Sequence, residues 1–263
     1  MSGERPLLLH LAMSHYNEKA RWALDYKRID HTRRAVTPGI HVAIAKRVGG
    51  DTTFPVMVAG DRVYRDSAEI IAGLEALKPD PPLFPADLED RRRALLIQKE
   101  FDDIYGPAIR ALAYQTMLSE PKAFARFLAF GGPPLRQAFT RATITPFCAG
   151  VRRVHNIPAA DDPRPLETVE RGLARLDQLL SESMTSYLVG DDFTVADLSV
   201  CALLAPGACP DLIAGGGLPP WPEPLASTLA ELADRHPSVG WVRATYRSHR
   251  QAQAPVSSSL SHA

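Results

Sequence analysis

The segment Phe54–Leu77, FPVMVAGDRVYRDSAEIIAGLEAL, constrains the fold more than any other part of this 263-residue chain. Two short apolar runs flank Gly60-Asp61, the pattern of a hairpin closed by a two-residue turn. Asp66-Ser67 then opens a helix, because Ile70, Ile71, Leu74 and Leu77 fall at helical spacing and face a core. Pro55 stands at the start of the first strand, where a missing N–H is tolerated and a cis peptide sets a sharp bend. Ser67 lies at a helix N-terminus, whose free N–H groups and positive dipole end suit a carboxylate. Each half of the segment also reads as a plain hairpin or a capped helix with no ligand.

The beginning of the chain changes that balance. Leu7-Leu8-Leu9-His10-Leu11 is a short apolar strand, and Ala12-Met13 leads to Ser14, a natural N-cap. After it, Ala20, Ala23, Leu24 and Lys27 keep helical spacing. A strand, a loop ending in Ser14 and a helix, followed by X-Pro, a hairpin and Asp-Ser on a helix, resembles the cytosolic glutathione S-transferase superfamily. The resemblance implies a thioredoxin-like N-terminal domain of order βαβαββα, a cis Pro55, and an all-α C-terminal domain, an α+β two-domain fold.

The length suits two domains of about 100–200 residues each. Residues 1–78 form the expected thioredoxin-like domain, 79–87 a linker, 88–250 the helical domain, and 251–263 read as a disordered tail. The linker PDPPLFPAD carries four prolines in nine positions, a stiff extended composition. The second strand is expected over His31–Val36, and a helix or helical turn between Ile40 and Val48. Beyond the linker, Leu88–Leu118 reads as one long helix kinked at Pro107. Further helices are expected over Lys122–Phe130, Leu135–His155 and Leu166–Glu182. Residues 207–224, rich in Pro and Gly, read as an extended loop before a last helix over Leu225–Arg235. A second signature is FTVADL, residues 193–198: Thr194 and Asp197 make an acidic capping box, with Phe193 and Leu198 placed for a hydrophobic staple. A similar box occurs in the helical domain of the transferases, so Asp197 is read as a folding residue.

Thirty basic and thirty acidic residues give zero net charge, which offers no long-range attraction to nucleic acid or an anionic membrane. The charges interleave along the expected helices, the usual pattern of a solvated, ion-paired face. Three cysteines without a C-x-x-C pair indicate neither a disulfide framework nor a zinc site, and a cytoplasmic location is expected. No segment approaches the about 18 apolar residues of a membrane span.

A thiol of ordinary pKa, about 8.5, is mostly protonated at neutral pH. A helix N-terminus and a donated hydrogen bond both favour the thiolate. Ser14 stands where the resemblance places the catalytic Ser or Cys of the zeta- and omega-like classes. Its hydroxyl is the first candidate donor to the glutathione thiolate and Tyr16 the second. Ser14 and Asn17 replace the two cysteines of thioredoxin-like C-x-x-C sites, with His15 at the proline position. Disulfide exchange through an enzyme thiol is therefore put in doubt, whereas conjugation, isomerisation and lyase chemistry survive. The resemblance further implies that the backbone of Phe54, before Pro55, pairs with the cysteinyl unit, and that Asp66 and Ser67 hold the γ-glutamyl ammonium and carboxylate. His41, or else Lys46, is expected to meet the glycyl carboxylate. Glutathione is then the cosubstrate, with no metal. The partner substrate is a small hydrophobic electrophile, held between the domains near Tyr105–Tyr114 and Met117. A homodimer is implied. The alternatives are a non-catalytic binding or assembly protein of the same fold, and a glutathione-dependent lyase or isomerase.

Overall fold

The computed structural model describes residues 5–36, 38, 40–49, 51–130, 133–209 and 219–250, the side chain at 136 excepted. The expected tail and residues 210–218 of the Pro/Gly-rich segment lie outside these. Four strands, β1 (Leu7–His10), β2 (Thr32–Ala35), β3 (Val56–Ala59) and β4 (Arg62–Tyr64), form one sheet in the order β2-β1-β3-β4. β1 runs parallel to β2 and antiparallel to β3, and β3 is antiparallel to β4. The parallel pair needs a crossover, supplied by helix α1 (His15–Tyr26). α2 (His41–Arg47) and α3 (Ser67–Leu77) complete this part of the chain.

The strand period of two splits the side chains between two buried faces. Leu8 and its partner Met57 join Trp22, Ala23, Ile70 and Leu74 on the face covered by α1 and α3. Leu9 and its partner Val56 meet Ala45 and Phe54 on the α2 face. Phe54-Pro55 is cis, as expected, and Gly60 turns the hairpin at φ +59°.

From Leu88 onward the described chain is helical. α4 (Leu88–Glu100), α5 (Gly106–Ser119), α6 (Pro121–Ala129), α7 (Pro134–Val154), α8 (Arg164–Glu182), α9 (Val195–Ala208), α10 (Leu225–Arg235) and α11 (Ser238–His249) follow in order. α9 is the central helix, buried along nearly its whole length and packed against α1, α4 and α11. Thr194 Oγ1 accepts from Ala196 N at 3.2 Å, and Asp197 accepts from Thr194 N at 2.8 Å and Leu188 N at 2.9 Å. The capping box read in the sequence is therefore formed, and Asp197 ties the preceding loop to it. Trp221, beyond the segment left undescribed, donates its Nε1–H to Pro206 O at 2.7 Å and so returns the chain to the end of α9.

Three expectations change. The helix read over Leu88–Leu118 is two helices separated by a π-helical turn, Phe101–Tyr105. Pro107 has no N–H to offer the preceding turn, and Gly106 N bonds instead to Phe101 O, five residues back. α11 was not expected, since Leu225–Arg235 read as the last helix; Pro237 ends one helix pattern and begins the next. Finally, the charges on α1 are not a solvated face: Glu18, Lys19, Arg21 and Lys27 are all buried. Glu18 pairs with Arg21 at 2.7 Å and with Arg250 at 2.7 Å, and accepts from Tyr246 Oη at 2.7 Å. Asp25 joins Arg33 and, at 2.6 Å, Arg250. Lys27 pairs with Glu75 at 2.5 Å and caps three linker carbonyls, those of Lys78, Pro79 and Pro81.

Candidate active site at one end of the sheet

Strand register gathers the candidate residues. Leu9 pairs with Val56, so one step further along the two strands sets His10 beside Pro55, and a second sets Leu11 beside Phe54. Met57 pairs with Tyr64, and two steps on sets Pro55 beside Asp66. The loop leading to Ser14, the cis-proline turn and the start of α3 thus leave the sheet at the same end. Asn17, fully buried, fastens two of them together. Its side chain accepts from Leu11 N at 2.9 Å and donates to Phe54 O at 3.1 Å. Arg21 holds the loop from behind, donating to Leu11 O at 3.2 Å and Ala12 O at 3.1 Å. It also meets His10 Nδ1 at 2.9 Å, and burial followed by the Arg21 charge lowers the His10 pKa to about 3.

Ser14 is the N-cap residue of α1 by backbone geometry, yet its side chain accepts no capping hydrogen bond. Among the described residues its hydroxyl has no partner, so the capping role weighed against function is not taken up. Tyr16 is differently placed. Its hydroxyl donates to Asp102 O at 2.6 Å, and its ring lies so close to Gly106 that a Cβ there would sit 2.3 Å from the oxygen. Burial raises the Tyr16 pKa, Arg110 opposing and Asp102 and Asp103 adding. This hydroxyl serves the junction with the helical domain.

Asp66 caps α3, Oδ1 accepting from Glu69 N at 2.7 Å, while Glu69 accepts in turn from Arg65 N at 2.7 Å. That leaves Asp66 Oδ2 for a ligand. Ser67 is buried at the first position of α3, and the N–H groups of Ser67 and Ala68 have no partner among the described residues. Beside Asp66 in the electrostatic field lie Lys19 and Asp102, which pair at 2.5 Å. His41, at the start of α2, packs edge-on to Phe54 with ring centroids 5.7 Å apart, and burial lowers its pKa. Lys46 lies exposed on the last turn of α2.

Opposite this sheet end stand α5 and the end of α7. Arg110 lies over the Tyr16 ring at 5.9 Å, and Tyr114 stacks on His155 at 5.6 Å. Burial, then Arg110, then His41 lower the His155 pKa to about 4. His15, whose ring lies tilted against Tyr16 with centroids 4.6 Å apart, is lowered to about 3 by burial and by Arg110, a hydrogen bond with the Gly106 backbone opposing. Of the cleft residues expected from the sequence, Tyr114 is here. Tyr105 instead packs against Gly172 and bonds Glu100 at 3.2 Å, and Met117 is core. Asn17, Arg21 and Arg110 were not singled out as site-forming residues; the position of Asn17 in the C-x-x-C-like frame was the one available signal. An apolar void of about 40 Å³ lined by Leu173, Leu204, Trp221 and Leu229 lies elsewhere, among α5, α8, α9 and α10. No cluster of three or more His, Cys, Asp or Glu side chains among the described residues is arranged for a metal ion.

A thioredoxin-like sheet with its cis-proline and a helical unit built round a capped central helix define a two-part architecture, a thioredoxin-like domain followed by an all-helical one. Residues 8–82 match the family model for the glutathione S-transferase N-terminal domain, and residues 161–210 match that for the C-terminal domain. The chain belongs to the cytosolic glutathione S-transferase superfamily. It is 24% identical over 216 residues to a "Probable maleylacetoacetate isomerase" of Caenorhabditis elegans, covering 78% of this chain and 79% of that protein. The crystal structure of glutathione transferase GSTFuA2 from Phanerochaete chrysosporium superposes with a TM-score of 0.62 at 19% identity, covering 95% of this chain and 100% of the other. A glutathione S-transferase from Methylobacillus flagellatus, solved with glutathione bound, gives a TM-score of 0.58 at 20% identity, covering 95% and 100%. These likenesses support the fold.

Proposed function

We propose that this protein is a glutathione transferase in which Ser14 stabilises the glutathione thiolate for attack on a small electrophile. One observation carries the reading: at one end of the sheet the Ser14 hydroxyl and the Ser67 and Ala68 N–H groups are all without partners among the described residues. The γ-glutamyl carboxylate takes the α3 N-terminus, where N–H groups and dipole favour an anion. Its ammonium meets Asp66 Oδ2. The cysteinyl unit runs along the backbone at Phe54-Pro55, as an added strand would. The sulfur then lies by Ser14, where the hydroxyl donates to the thiolate and the α1 N-terminus adds its dipole, both lowering the thiol pKa. His41 is the nearer candidate for the glycyl carboxylate, since Lys46 is exposed at the far end of α2. The thiolate attacks the electrophilic carbon as the C–S bond forms, and either a leaving group departs or the resulting carbanion is protonated.

The relation to an isomerase favours a second reading of the same site. There the thiolate adds to a conjugated double bond, the resulting single bond rotates, and elimination regenerates glutathione.

Ser14→Ala tests the first role. It should lower kcat/KM about 10- to 100-fold, as loss of one donor to a developing anion does, while the glutathione Kd by calorimetry stays within about twofold. The ultraviolet absorbance of bound thiolate should titrate at a higher pH. Undiminished turnover in Ser14→Ala would remove the serine from the chemistry. Asp66→Ala combined with Ser67→Ala should weaken glutathione at least about tenfold, by loss of charge-assisted bonds; retained affinity contradicts the γ-glutamyl placement.

A further inference from the structure

Near the sheet end, α5 carries a cation that has no counterion among the described residues. Arg110 projects from the second turn of α5, half-buried, and forms no hydrogen bond or ion pair among the described residues; its single close neighbour of note is the Tyr16 ring. Most other buried or half-buried cations here are paired: Lys19 with Asp102, Lys27 with Glu75, Arg21 with Glu18, Arg175 with Glu100, Arg250 with Glu18 and Asp25. A half-buried guanidinium that rests on an aromatic ring without a counterion keeps its N–H donors for an incoming anion. A second group at the same place is also unsatisfied. His15 is buried, its N–H is used on the Gly106 backbone, and its bare Nε2, an acceptor, has no partner among the described residues; Arg110 is the charge it feels. The remaining groups around Arg110 are Tyr114 and His155, the latter neutral at pH 7 because burial and Arg110 itself depress its pKa. Asp102 and Asp103, the carboxylates nearest Tyr16, are held by Lys19 and Lys99.

We infer that Arg110, with His155 beside it, binds a carboxylate of the second substrate, so that the electrophile is an anionic conjugated compound. The inference rests on the reading of the sheet end as the glutathione site and names what faces it. The planar fork of Arg matches a carboxylate bidentately, which Lys cannot reproduce. The neutral His155 imidazole adds a donor without adding charge. Arg110 is carried on α5 and not on the elements that would bind glutathione, so the anion it holds enters from the electrophile side of the cleft.

The test compares a para-carboxylated benzylideneacetone with its methyl ester as thiol acceptors. The full-length wild-type protein should favour the acid in kcat/KM by about 10- to 100-fold, the worth of a hydrogen-bonded charge pair. Arg110→Gln should collapse that ratio, and Arg110→Lys should restore part of it. A wild-type protein indifferent to the carboxylate overturns the inference without any variant being needed. Equal losses on acid and ester in Arg110→Gln overturn it too, as does weakened glutathione binding in that variant, which would assign Arg110 to the glycyl carboxylate. Calorimetry with glutathione alone reports separately on the underlying reading. Were wild type to bind no glutathione, equilibrium binding of the acid itself should still be about tenfold tighter to wild type than to Arg110→Gln, and equal affinities would refute the anion site.

Discussion

Asp197 shows how far a single side chain can be interpreted before coordinates exist. Its place three residues after Thr194 identified a capping box, and the box is formed. The loop bond to Leu188 N was not legible, because it joins residues whose relation depends on the path between them. Burial raises the Asp197 pKa to about 6, the N–H and O–H donors opposing. Asp197→Ala should lose on the order of 2 kcal/mol or more, since two buried N–H groups are left unpaired. Urea unfolding measures this, and a change under about 0.5 kcal/mol, the range of ordinary surface substitutions, contradicts the role. Ser14, Pro55 and Ser67 were legible for a different reason: a cap, a strand start and a helix start each leave a local signature. Arg110 left none, because a lone Arg on a helix looks the same whether it faces water or a cleft.

Among the elements, the π-helical turn is the informative departure from the sequence pattern. The apolar spacing of Leu88–Leu118 continues through it, so periodicity alone could not reveal the break; only Pro107 marked it. The turn delivers Asp102 O to Tyr16 Oη and brings Gly106 against the same ring. An added methyl at Gly106 would lie 2.3 Å from Tyr16 Oη and 2.9 Å from Cζ. Gly106→Ala should therefore destabilise the protein by about 1–3 kcal/mol through overpacking. Tyr16→Phe in the same chain should recover part of the loss, since the oxygen is the closer atom. A double-mutant cycle in urea reads the coupling; simple additivity would show that the two residues do not press on each other. α11 went unread because its apolar positions are few and the pattern of the preceding helix had already closed at Arg235.

For the molecule as a whole, the buried titratable groups set the response to acid. His10 and His15 have folded pKa values near 3 against an ordinary 6.5, so the unfolded chain takes up protons first as the pH falls. Their stabilising effect is fully present above about pH 6.5 and is lost progressively below it. Glu18 acts in the same direction lower down. Burial would raise it, but Arg21, Arg250 and the Tyr246 hydroxyl hold it at about 2 against 4.5, and its contribution disappears below that ordinary value. Asp197 works the other way, because its folded pKa is raised and the native state is penalised above about 6. Two histidines displaced this far outweigh one carboxyl displaced less. The urea midpoint should fall steadily between about pH 7 and about pH 4.5, and His15→Gln should flatten the decline. A midpoint that holds or rises over that interval contradicts this balance.

Tyr246 and Arg250 reach Glu18 across 228 and 232 positions of sequence, and Trp22 Nε1 donates to His249 O across 227. The helix that carries Ser14 at its head is therefore completed, on its other flank, by α11 and Arg250. A nascent chain emerging from the ribosome makes its strands and early helices first, but Glu18 and Asp25 wait for their final counterion until Arg250, 232 and 225 positions later, has been added.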